Sequence, residues 1–277
     1  MIANRCSKVQ RGDAGAGSCR LCFVNIVVRV ALAGHRGRTG SELARALEAA
    51  ADVEYVGGIG RGDDLGAFLA RARPQVLVDF THPTVALDHA LAAVRAGVAP
   101  VVGTSGLAPE AVDRLEAACR GAGLGGVVAS NFALGAVLMM RLAELAAPFF
   151  DAVEVVEMHH AGKADAPSGT ALATARRLAA SKPGGFAHRR PVTVTLPGTR
   201  GGEEGGVAVH SVRLPGVVAD QEVIFGLPGQ TLVLVHRTIS RECYAPGVLL
   251  AVRKVVEGPG FYRGLDELLG LGGLRLG

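Results

Sequence analysis

An apolar run from Ile26 to Ala33, interrupted only by Arg29, leads directly into Gly34-His35-Arg36-Gly37-Arg38-Thr39-Gly40 and then into a helical stretch from Ser41 to Ala50. A strand without polar–apolar alternation is one buried on both faces, the habit of a parallel sheet covered by helices on each side. The pattern repeats. Val53 to Gly58 and Val76 to Phe80 read as strands, Val85 to Ala96 as a helix and Val101-Val102 as a short strand. Pro109 to Arg120 reads as a helix and Val127 to Ala129 as a strand. Strand and helix in alternation predict a doubly wound, Rossmann-like α/β sheet.

After Asn131 the texture changes. A helix from Leu134 to Ala146 precedes a strand over residues 153–158. Pro191 to Leu196, Val207 to Val212, Glu222 to Phe225 and Leu232 to Arg237 then read as successive strands of a mixed, mostly antiparallel sheet, before a last helix from Tyr244 to Val256. The expected organisation is a dinucleotide-binding domain over 25–130, rejoined by 241–277, and an α+β substrate and oligomerisation domain over 131–240. Residues 1–24 lack periodicity and read as a disordered extension.

Of the 277 residues 49% are hydrophobic and 19% charged, and the net charge is only +4. No basic run carries interleaved aromatics, so nucleic acid is not an expected partner. No apolar stretch reaches the roughly 18 residues of a membrane-spanning helix. Five cysteines, an odd number in so long a chain, suit a cytoplasmic protein better than a disulfide framework. Cys19 and Cys22 form a lone C-x-x-C pair without a second pair of ligands, so no metal site is expected.

The chemistry concentrates in Glu157-Met-His159-His160-Ala-Gly-Lys163-Ala-Asp165-Ala-Pro167-Ser168-Gly169-Thr170-Ala171. Two histidines, a lysine and a carboxylate end a strand. A turn then opens a helix over Ala171 to Ala180, presenting bare N–H groups to an anion beside groups that can supply a proton. Strand alternation puts His159 on the face of Val155 and Glu157, and His160 on the other. Either a bend re-aims one of the histidines or only one is in direct contact.

Gly34, Gly37 and Gly40 lie where a dinucleotide's pyrophosphate rests on a helix N-terminus. The second strand ends without a carboxylate, in Gly57-Gly58-Ile59-Gly60-Arg61. With Arg36 and Arg38 in the loop, the expected cofactor is NADPH, favoured over NADH. Asp63 or Asp64 as a ribose partner is the competing reading. Phe80-Thr81 and Gly103-Thr104-Ser105 sit at strand ends that can line the same site.

Together these segments resemble the dihydrodipicolinate reductase family, over roughly residues 28 to 270. The residue 157–171 block is the most specific match. Gly34 to Gly40, Asp79-Phe80-Thr81, Gly103-Thr104-Ser105-Gly106, Asn131-Phe132, Ser240-Arg241 and Gly260-Phe261-Tyr262 match in order. The resemblance implies a homotetramer that reduces 4-hydroxy-tetrahydrodipicolinate, a small dicarboxylate, in lysine and diaminopimelate biosynthesis. It implies proton donors at His159 and Lys163, and substrate contacts from His160, Lys163, Ser168, Gly169 and Thr170. Cofactor contacts would come from Gly34 to Gly40, Arg61, Phe80, Thr81, Gly103 to Ser105, Ser130, Asn131, Phe132 and Arg241. Thr39, Ser105, Ala133, Ala219 and Gln221 depart from the family's usual residues. The alternatives are a related two-domain amino- or keto-acid dehydrogenase and a nicotinamide-binding regulatory protein.

Overall fold

A computed structural model of the chain describes residues 27–187 and 191–273. The expected extension over 1–24, with Cys19 and Cys22, lies outside the described residues. The first sheet is six-stranded, all parallel, in the order β11-β5-β4-β3-β1-β2. Its strands are β1 (Val28–Ala33), β2 (Val53–Ile59), β3 (Val76–Asp79), β4 (Ala99–Val102), β5 (Gly125–Val128) and β11 (Gly260–Tyr262). Both faces are covered, as the apolar run of β1, broken only by Arg29, requires. Val30 and Leu32 pack with Leu43 and Leu47 of α1 (Arg38–Ala49) and with Val248 and Val252 of α7 (Ala245–Val255). On the other face, Ala31 and Ala33 meet Phe68 of α2 (Leu65–Ala72) and Ala93 of α3 (Pro83–Arg95). Leu115 and Cys119 of α4 (Pro109–Ala122) pack beside α3.

The second sheet runs β10-β9-β6-β8-β7, with β6 (Ala152–His159) at its centre. Its other strands are β7 (Gly202–Glu204), β8 (Val207–Arg213), β9 (Ala219–Leu227) and β10 (Gln230–Thr238). β6 is parallel to β8, and the other pairs are antiparallel. Alternation along β6 buries Val153, Val155 and Glu157. The two valines meet Met139, Met140 and Ala143 of α5 (Leu134–Ala146) and Ala175 and Leu178 of α6 (Gly169–Ser181).

Residues 191–196, expected as a strand, are irregular. Their alternating valines have the right composition, but Val192, Val194 and Leu196 are exposed, and no strand among the described residues supplies them with a ladder. The edge position goes instead to β7. Helix α2, not anticipated from the sequence, is capped by the Asp64 carboxylate accepting the Ala67 N–H. Among the described residues no helix is long and apolar enough to cross a membrane.

The core of the second sheet is tight enough to test. Phe225 is fully buried, with its ring 5.2 Å from that of Phe150. Phe225→Ala is expected to cost roughly 3–5 kcal/mol in urea unfolding. Val192→Ala, in the exposed segment, should stay within about 0.5 kcal/mol of the parent.

Candidate active site

The first sheet gathers its expected ligand residues at the topological switch, where β1 connects one way to β2 and its other neighbour is β3. Gly34 has φ +87°, and a methyl on it would lie 2.6 Å from the Phe80 carbonyl oxygen. A methyl on Gly40 would collide with the Gly34 carbonyl. Only glycines let this loop fold so closely on itself and on the tip of β3. Helix α1 then starts at Gly37 with no side-chain cap and no acidic residue in its first turn. Its N–H groups and positive dipole end remain available to a phosphate.

The tips of β3 and β4 are tied by one buried carboxylate. Asp79 Oδ1 accepts from Thr81 N (3.0 Å), Thr81 Oγ1 (2.7 Å) and Thr104 Oγ1 (2.8 Å), while Oδ2 meets His89 Nδ1 at 2.8 Å. Thr81 and Thr104 are thereby fixed as a pair. The Phe80 ring lies over Gly103, where any side chain would collide with it, and 5.6 Å from the Phe132 ring. At the end of β2, the His35 ring fills the space beside Gly58, and the Arg36 guanidinium reaches Gly60. Arg61 is exposed. Asp63 accepts the Gly60 N–H (2.7 Å) and Asp64 caps α2, so both carboxylates shape their own loop.

In the second sheet β6 ends at His159. Its Nδ1 lies 2.5 Å from Glu157 Oε2, on the same strand face. Glu157 is wholly buried and fully engaged. Arg213 donates to both carboxylate oxygens (2.9 and 2.7 Å), and the Ser168 N–H donates to Oε1 at 3.3 Å. Burial alone would raise the Glu157 pKa. Hydrogen bonds from Arg213, Ser211 and His159 bring it below the usual carboxylate range. For His159 burial dominates and lowers the pKa, and the Glu157 carboxylate opposes that shift.

The turn after β6 closes with Lys163 N–H on the His160 carbonyl (3.1 Å). Lys163 Nζ reaches Asp165 Oδ1 at 2.7 Å, and Arg213 donates to the Asp165 carbonyl at 2.8 Å. Ser168 caps α6 by accepting the Ala171 N–H, and no acidic side chain occupies the first turn.

His159, Ser168, Thr170 and Asn131 line one cleft of ≈ 70 Å³, with Asp220, Gln221, His236 and Tyr244 opposite. His160 and Lys163 belong to the turn beside this cleft and do not line it, and Arg241 opens a short 3-10 turn leading to Tyr244. Sequence reasoning did not single out Arg213, Asp220, His236 or Tyr244. Register explains Arg213 and His236. Arg213 stands opposite His159 on β8, and His236 on β10 stands opposite Gln221, which on β9 stands opposite Glu157. Gln221 donates to Thr174 Oγ1 (2.8 Å), a contact that keeps its amide in the cleft wall. Among the described residues no cluster of three or more His, Cys, Asp or Glu could hold a metal ion.

Two patterns of one protein family match the chain. The sequence pattern described as "Dihydrodipicolinate reductase, N-terminus" matches residues 28–132, and the "C-terminus" pattern matches 135–269. A 4-hydroxy-tetrahydrodipicolinate reductase of Mycolicibacterium vanbaalenii is 45% identical over 247 residues, 88% of this chain and 100% of the relative. One from Streptomyces coelicolor is 46% identical over 247 residues, covering 88% and 98%. The solved structure of a dipicolinate-bound dihydrodipicolinate reductase from Paenisporosarcina sp. TG-14 superposes with a TM-score of 0.80. It is 34% identical and covers 87% of this chain and 99% of that one. Both halves are matched, not the dinucleotide-binding half alone, and the chain belongs to the dihydrodipicolinate reductase family.

Proposed function

We propose that the cleft between His159 and the start of α6 is where this oxidoreductase reduces 4-hydroxy-tetrahydrodipicolinate to tetrahydrodipicolinate, in lysine and diaminopimelate biosynthesis. The observation that carries the reading is a half-buried histidine, held on a carboxylate, facing a helix N-terminus free of acidic side chains within one cleft. The glycine cradle and the bare α1 N-terminus fit a dinucleotide, with Gly34, Gly37 and Gly40 along the pyrophosphate and Thr81 and Thr104 towards the nicotinamide. Reduced nicotinamide supplies the hydride when bound.

The chain's own residues do the rest. Gly169 and Thr170 offer amides, and Lys163 a positive charge, to the substrate's two carboxylates. Lys163 exchanges its Asp165 partner for one of them. Charge that builds on the ring after hydride addition is quenched by a proton from His159, or from Lys163 nearby.

NADPH is the preferred cofactor. Asp63 and Asp64 are spent on their own loop, whereas Arg36 and Arg61 flank the end of β2, where a 2′-phosphate would sit. The outer face of the second sheet carries Val156, Met158 and Ile224 beside the exposed Val233 and Val235 of an edge strand. That face, on which these residues are interleaved with Glu154, Asp220, Glu222 and Arg237, supports self-association into a homotetramer. Free Cys119 and Cys243 suit the cytoplasm.

The test couples this protein to the synthase that makes the substrate from pyruvate and aspartate semialdehyde, and follows oxidation of NADPH and NADH. Synthase-dependent turnover is expected, and cofactor binding without turnover would contradict the reading. Lys163→Ala and His159→Ala are each expected to lower kcat by roughly 10²-fold with cofactor affinity retained. Arg36→Ala combined with Arg61→Ala should weaken NADPH at least ~10-fold more than NADH in fluorescence titrations. Val235→Asp should yield a smaller species in sedimentation.

A further inference from the structure

We propose that Glu157, itself held by Arg213, is a positioning residue for the reduction: its carboxylate fixes the His159 ring on the cleft wall with Nε2 as the nitrogen left for the substrate, and through the Ser168 amide sets the start of α6 against that ring. This deepens the reductase reading and rests on it.

The geometry is that of a three-part relay of orientation. A carboxylate only accepts hydrogen bonds, so at 2.5 Å from Glu157 Oε2 the His159 Nδ1 must carry a hydrogen. The neutral ring is then the Nδ1–H tautomer, and the charged ring carries its transferable proton on Nε2. When that N–H bond breaks and the proton passes to the reduced substrate, the imidazolium becomes neutral in the same tautomer. The next proton from water returns to Nε2, and no ring rotation or tautomer exchange intervenes.

Glu157 cannot wander. It is 0% exposed, with both oxygens engaged by Arg213 (2.9 and 2.7 Å) and Oε1 also accepting from Ser168 N (3.3 Å). Arg213 is fixed in turn on the carbonyls of Val212 and Asp165, at 2.7 and 2.8 Å. The groups around the ring come from every neighbouring element. They are Glu157 on β6, Arg213 on β8, Lys163 and Asp165 in the turn, Asp220 on β9, and His236 and Tyr244 at β10 and beyond it. Of these, only Glu157 lies within hydrogen-bonding distance of the ring and carries negative charge. A buried Glu–Arg pair is also a common structural device, so the test must read something that stability alone would not move.

Two measurements decide. In the wild-type protein, with ¹⁵N-labelled histidine, the neutral His159 ring is expected as the Nδ1–H tautomer. An Nε2–H tautomer would overturn the proposal without any variant being made. In Glu157→Gln the amide still accepts from Nδ1–H, but the negative charge that supports the imidazolium is gone. Activity that needs protonated His159 falls as pH rises through its pKa, and in this variant that alkaline limb should move to lower pH. With it, kcat should fall about 10²-fold while the substrate KM and cofactor affinity stay within about threefold. Restoring the carboxylate one methylene shorter, in Glu157→Asp, should return the limb towards its wild-type position. A wild-type limb in Glu157→Gln, with the synthase-coupled assay still turning over in the parent, would sink this inference alone. Absence of turnover in the parent would sink the reductase reading instead. Should Glu157→Gln not fold, the tautomer of the wild-type ring still separates the two outcomes.

Discussion

A carboxylate with no exposed surface is the point about which the second half of this protein is organised. Taking Glu157 out of water would cost several kcal/mol if it were left alone. Its Arg213, His159 and Ser168 partners offset that cost, and they come from the neighbouring strand β8, from β6 itself and from the start of α6. Because these contacts come from β6, β8 and the start of α6, one carboxylate ties the three elements together. Arg213 extends the linkage by holding the Asp165 carbonyl, and so the turn that carries Lys163. The shape of the turn after β6 is thus tied to neutralising one buried charge.

Asp79 plays the corresponding part in the first sheet. It too is buried at a strand end, and it too converts hydrogen-bond demand into fixed positions for neighbouring groups, here Thr81, Thr104 and His89. A seam of close approaches joins the two halves. Phe80 packs against Phe132, and the Phe132 carbonyl approaches Gly247 of α7 so tightly that no side chain would fit there. His236, wedged over Gly135 at the start of α5, brings β10 to the same seam, where a methyl on the glycine would lie 2.6 Å from the ring. At Gly135 and Gly247, close packing along this seam is possible only because the residue is glycine.

Much of this was legible in the residues because it follows from local pattern. An apolar strand running into Gly34, Gly37 and Gly40 has few interpretations, and His159 at the end of an alternating strand before Ser168 has hardly more. The parts that resisted were those decided by tertiary pairing. Arg213 stands 56 residues from Glu157, and only the register of β8 on β6 brings it there. The valines of residues 191–196 have strand composition but no strand partner among the described residues, so the edge fell to Gly202–Glu204, whose composition says nothing of a strand. Alternation along β6 puts His159 and His160 on opposite faces only if the strand continues through both. It could not say that the strand would stop between them and leave His160 in the turn.

The return of β11 to the edge of the first sheet has a consequence for how the chain comes together. Gly260 to Tyr262 pair with Gly125 to Val127, yet everything from α5 to α7 is synthesised between them. As the polypeptide emerges, β5 is an unprotected edge with its hydrogen-bonding groups facing water until the end of the chain arrives. Loop closure over such a separation is slow unless the intervening segment has already folded and brought its ends together. The second sheet has its own core, so a second half that condensed first would carry α7 and β11 back to the strand that waits for them. Completion of the first sheet thus depends on a strand that follows the whole of the second.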